Sequence, residues 1–218
     1  MKRAVFILVV IVGCSLLSLF LGHDRLHAGK KPRPTLVKQP PKTAEIADLK
    51  IPTPKQACPN WAWATAVELM LEKQNVVDYK QTYWILKSAA GELCIETPID
   101  LDQLKHWVDG DYKLMDGSDV HFEGTVVSGP PQDVGYLIRL LQEGRPALVL
   151  WRGRPLILQS VEYDEYIYPN NQRMYEARKL TMLDPLAKDP IVFDKTKDDP
   201  ADLGGVFEVR VGPIEHWR

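Results

Sequence analysis

The sequence predicts an α+β domain: an N-terminal helical half packed on a C-terminal antiparallel sheet. Three observations carry this. Apolar residues recur at helical spacing through four segments between Trp61 and Glu143. After Pro146 the pattern changes to short apolar runs rich in Val, Ile, Leu and Tyr. The helical segments come first and the strand segments follow, an order typical of segregated rather than alternating folds. With 218 residues, 45% hydrophobic and 26% charged, the chain has an ordinary globular composition. Its net charge of -2 carries no basic excess that would point to nucleic acid.

The first predicted helix covers Trp61 to Lys73, with Trp63, Val67, Met70 and Leu71 on one face and Pro59 in its first turn, where no backbone donor is needed. A second covers Gln81 to Ala90, stopped by Gly91. A third covers Pro98 to Val108, with Thr97 as cap and Leu101, Leu104 and Val108 inward. The fourth, Gln132 to Glu143, turns Val134, Leu137, Ile138 and Leu141 inward and ends at Gly144. Strands are predicted at Pro146–Trp151, Leu156–Tyr163, Leu180–Leu183 and Val206–Val211, with a weaker candidate at His121–Val127 and a turn at Pro169-Asn170-Asn171. Tyr166 and Tyr168 share one face of an extended segment and read as core or edge packing rather than a ligand platform.

The N-terminus reads as an export segment. Lys2 and Arg3 precede an apolar run from Ala4 to Leu21, 18 residues long. Residues 1–28 are a signal peptide or membrane anchor. Cleavage after Ala28, retention as an anchor with the positive end inside, and lipid attachment at Cys14 within Ile11-Val12-Gly13-Cys14 are the three fates open to it. Residues 29–50 read as a linker within a longer Pro/Lys-rich stretch, 30 to 55, that holds six prolines and seven basic residues. The domain is expected to span 51–218. The location follows: periplasmic, extracellular or anchored to the cell membrane.

Cys58 opens the first helix, where unpaired N–H groups and the helix dipole stabilise a thiolate. Gln56, two residues earlier, can direct its amide toward the same place and support an oxyanion. The other reading is a buried or disulfide-bonded cysteine. In an exported domain Cys58 and Cys94 are the two cysteines available for a bond.

Gln56-Ala57-Cys58-Pro59-Asn60-Trp61-Ala62-Trp63-Ala64 resembles the active-site region of papain-like cysteine peptidases, nearest to the bacterial branch of bacteriocin-processing, double-glycine peptidases. Gly144-Arg145-Pro146 before an apolar strand, Tyr163-Asp164 after the next, and Leu183-Asp184-Pro185 follow in the family's order. The resemblance covers residues 52 to 190. It implies a papain-like fold, Cys58 as nucleophile, Gln56 as oxyanion donor and Asp184 as the residue that orients a histidine. It also implies a free Cys58 thiol, and peptides or proteins as substrates or partners.

The family's base falls at or near Leu156, an apolar residue expected to point toward Cys58. No histidine lies between His121 and His216. His23 and His27 belong to the export segment, His106 reads as a surface or half-buried helix residue, His216 as exposed, and His121, which could approach Cys58 from a strand, stands out of the family order. A cysteine nucleophile needs an adjacent base or a lowered pKa. The chain is therefore expected to be a degenerate or inactive peptidase. Alternatives are a peptide- or protein-binding module on the same fold, or a structural envelope domain with a Cys58–Cys94 disulfide. No cysteine–histidine cluster has zinc spacing, no carboxylate run (Asp100, Asp102, Asp109, Asp111) has calcium-loop spacing, and no cofactor is implied.

Overall fold

The first helix, α1 (Ala62–Glu72), is buried along ten of its eleven residues, so it runs through the interior rather than lying on it with one apolar face. Ala62, Ala64 and Ala66 allow close approach on every side. Its one buried acid, Glu68, accepts a hydrogen bond from the Gln81 N–H (2.9 Å) at the start of α2 (Gln81–Lys87) and pairs with Lys80 at 3.2 Å. A buried carboxylate is thus satisfied and an orphan helix donor capped in one contact. A computed structural model describes residues 36–51, 58, 61–88 and 99–214. The expected signal segment, Thr97, Pro59 and residues 89–98 lie outside them.

Helix α3 (Leu101–Val108) is capped by Asp100, whose side chain accepts from Asp102 N (2.8 Å) and Gln103 N (3.2 Å). The start is therefore set by Asp100, three residues beyond the expected Thr97. Helix α4 (Gly135–Gln142) begins three residues later than its apolar pattern suggests and has Leu137, Ile138, Leu140 and Leu141 buried.

Among the described residues the strands form one antiparallel sheet of nine: β1 (Val37–Lys38), β2 (Lys42–Glu45), β3 (Gly110–Lys113), β4 (Asp119–Ser128), β5 (Leu148–Trp151), β6 (Arg154–Ile167), β7 (Arg173–Leu183), β8 (Ile191–Asp194) and β9 (Leu203–Pro213). Their order is β3-β4-β9-β5-β6-β7-β8, with β1 and β2 both pairing with β6. A two-residue turn joins β5 to β6. Arg152 (φ 49°) and Gly153 (φ 75°) both take positive φ, as the tightest hairpin turn requires. β6 is long enough for two partners along one edge, β5 against its first part and then β2 and β1 against its second.

That pairing corrects the expected linker. The stretch to residue 50 is not a free spacer, and the compact unit begins at Leu36, not Ile51. Pro40 and Pro41 fall between β1 and β2, where a missing N–H costs no ladder bond. The lysines of the segment hold buried acids. Lys38 pairs with Asp164 at 2.7 Å and Lys42 with Glu165 at 2.5 Å. Burial alone would raise the Asp164 pKa, but Lys38 and Arg178 outweigh it and hold the group below its ordinary value. The Lys42 hydrogen bond, with Arg173 behind it, lowers Glu165 against the same opposing burial.

Strand alternation assigns the helices to the two faces. Leu101 of α3 sits 2.8 Å from where a Gly205 Cβ would stand, and Asp109, at the end of α3, accepts from Gly124 N. Trp63 of α1 and Trp107 of α3 have ring centroids 5.2 Å apart, and Tyr79, just before α2, packs with Tyr83 and Trp84 of α2 on Tyr112 and Phe122. Helices α1, α2 and α3 therefore cover one face. On the other, buried Glu208 of β9 ion-pairs with Arg145, which closely follows α4. Both faces being covered explains why all four residues of β5 are buried. Past the end of β5, Gln74 takes over its role. Its amide donates to Val209 O (2.9 Å) and accepts from Val211 N (3.0 Å), completing the β9 ladder.

Candidate functional site

Cys58 is 5% exposed, and its carbonyl accepts from Trp61 N at 3.1 Å, which ties it to the first turn before α1. Its sulfur is in a disulfide, whose other half lies outside the described residues. The expectation of a free thiol is thereby corrected. A disulfide sulfur carries no thiolate, so the helix terminus has no anion to stabilise and the nucleophile is absent until the bond is reduced. Gln56, the expected oxyanion donor, lies outside the described residues.

Asp184 is 4% exposed and sits one residue past β7. One carboxylate oxygen accepts from Leu186 N at 2.9 Å, and the other is ion-paired with Arg154. A carboxylate that orients a histidine offers it a free lone pair. Here an arginine occupies that oxygen, and nothing in the sequence order of the motifs pointed to Arg154.

The position of Leu156 is also corrected. Leu156 pairs with Val149, and Val149 with Val206. Paired residues point to the same side, as do residues two apart on one strand, so Leu156 shares the face of Glu208 and Arg145, which is the α4 face. It therefore points away from α1 and Cys58. Pro155 and Ile157 point toward the α1 side, with Ile157 opposite Leu148 and Leu183. No residue of this short stretch facing Cys58's side can accept a proton. Arg154, two residues before Leu156, shares its face and holds Asp184.

The histidines do not fill the gap. His121 Nδ1 lies 2.7 Å from Asp111 Oδ1, on β4 against β3, with β9 and β5 between it and β6. His106 is exposed on α3, as its sequence context suggests. Among the described residues no group of His, Cys, Asp and Glu has the arrangement to hold a metal. Tyr166 donates to Glu176 (3.1 Å) across the β6–β7 pair, a packing contact inside the sheet. Among the described residues no helix is long and apolar enough to cross a membrane.

No known protein-family model matches the chain, and no characterised protein matches its sequence significantly.

Proposed function

We propose that this chain is an exported domain of papain-like descent, nearest the double-glycine peptidase branch, that has lost hydrolysis and acts by holding a peptide or partner protein. The single observation that carries the reading is the Cys58 disulfide, which removes the nucleophile at the position the motif order assigns to it. Two others support it: Asp184 is engaged by Arg154, and the strand that would bring the base presents Pro155 and Ile157 instead. The disulfide also supports export, because such bonds persist in oxidising compartments. The experiment is iodoacetamide labelling with and without reductant, beside turnover of a double-glycine-containing fluorogenic peptide. Cys58 should label only after reduction, and neither form should turn the peptide over measurably. Brisk cleavage that Cys58→Ala abolishes overturns the reading.

The disulfide equally favours a second reading, a structural envelope domain in which Cys58–Cys94 is a staple. Cys94 is the natural partner under this reading, because Cys14 falls in the stretch read as an export segment. Under that reading Cys58→Ser lowers stability without changing what the protein binds.

A further inference from the structure

The face opposite α1 carries a cleft of its own. A cleft of about 730 Å³ lies between α4 and the outer parts of β6 and β7. That size suits a small organic ligand. We propose that this cleft binds a monocarboxylate carried on a flat apolar body.

Charge selects the anion. Lys42, Arg139 and Arg173 line the cleft against only two carboxylates, Asp133 and Glu165. Both acids are already committed. Glu165, almost wholly buried in the cleft wall, is held by Lys42 (2.5 Å) and Arg173 (2.8 Å), and Asp133 accepts from Gly135 N at 2.7 Å. Arg139 stands exposed on α4 and makes no ion pair with any described residue. Its planar fork of donors fits a carboxylate through two parallel hydrogen bonds. One excess positive charge is neutralised by a monoanion; a phosphate dianion would leave the cleft negative.

Ring geometry selects the body. Tyr163 and Tyr175 meet edge to face, centroids 5.7 Å apart at 77°, and form a corner beside Ile138. An aromatic ring docks against such a corner with one face or edge on each tyrosine. The Tyr175 ring packs directly over Gly135, where an added Cβ would stand 2.8 Å from it, and the Tyr175 carbonyl accepts from Val134 N (3.1 Å) at the start of α4. The site does not depend on the state of Cys58.

The test uses the full, disulfide-intact chain, 15N-labelled and titrated at constant ionic strength with sodium benzoate, sodium acetate or inorganic phosphate. Benzoate should give saturable amide shifts at Gly135, Tyr163 and Tyr175 with a Kd of about 1 mM, and acetate and phosphate should bind at least about tenfold more weakly. Arg139→Gln, at an exposed position, should keep its Tm and lose about tenfold in benzoate affinity. Absence of saturable shifts, unchanged affinity in Arg139→Gln, or phosphate or acetate binding as tightly as benzoate overturns the proposal.

Discussion

Leu156→His tests the geometry of the proposed degenerate site most directly, because the motif order and the register of β6 predict different outcomes for it. Aligned by Tyr163-Asp164, the substitution restores a base beside Cys58. In the folded protein Leu156 is 1% exposed and faces α4, so the imidazole enters a dry layer between Val149 and the sheet's covering. Replacing a fully buried leucine sacrifices part of the roughly 2–5 kcal/mol that such a side chain supplies. An imidazole left without partners adds about 1–3 kcal/mol of desolvation. A net loss of about 3 kcal/mol is expected, and with a urea slope of about 2 kcal/mol/M the midpoint falls by about 1.5 M. Burial depresses the histidine pKa in the folded state, so the unfolded chain binds more protons in acid and the loss deepens below about pH 6.5. Urea melts at neutral and mildly acidic pH read this, with a fluorogenic peptidase assay beside them before and after reduction. No peptidase activity is expected in either state. A variant that keeps its urea midpoint and gains activity refutes the face assignment. Pro155→His, half-buried on the α1 side, is the better placed graft and should cost much less stability.

Four further outcomes follow from the same structure. Reduction, or Cys58→Ser, should lower stability by about 2–4 kcal/mol, read as a fall in Tm; an unchanged midpoint contradicts a stabilising bond. Asp164 and Glu165 titrate lower in the folded than in the unfolded protein, so their contribution is present above their ordinary values of 3.8 and 4.5 and is lost as the pH falls through the folded ones. Acid unfolding followed by circular dichroism should therefore become shallower in Lys38→Met combined with Lys42→Met, and an identical acid profile argues against the ion pairs. Deleting residues 36–46 removes β1, β2 and buried Ala44 and Ile46, which opens the second half of β6's edge; size-exclusion chromatography should show association, and a monomer of unchanged stability contradicts the pairing. Gly205→Ala, at φ 149° with Leu101 and Val127 O each 2.8 Å from the new methyl, should lower stability by about 2–3 kcal/mol in a denaturant melt.

Among the described residues, four helices and five strands fall where apolar periodicity predicts them, although α1 and β5 are buried nearly throughout rather than along one side. The α+β class follows with them. The sequence also singled out Cys58, Asp184 and the absence of a histidine between His121 and His216, the features on which the proposed function rests. What it did not determine depends on partners distant along the chain. β1 and β2 have the prolines and lysines of a tether and become strands only because β6 outruns β5 and supplies Asp164 and Glu165 for their lysines. β3 and β8 are short, and their pairing with β4 and β7 leaves little pattern of its own. Leu156 is apolar in either orientation, so composition says nothing about which face it takes; only the register with Val149 and Val206 turns it toward α4. The same register places Arg154 where it can hold Asp184. The state of Cys58 was open in the sequence, since a thiolate and a disulfide sulfur ask for the same residue at the same helix start. Tertiary structure decides between them, because a disulfide forms only where the fold carries a second sulfur to within bonding distance.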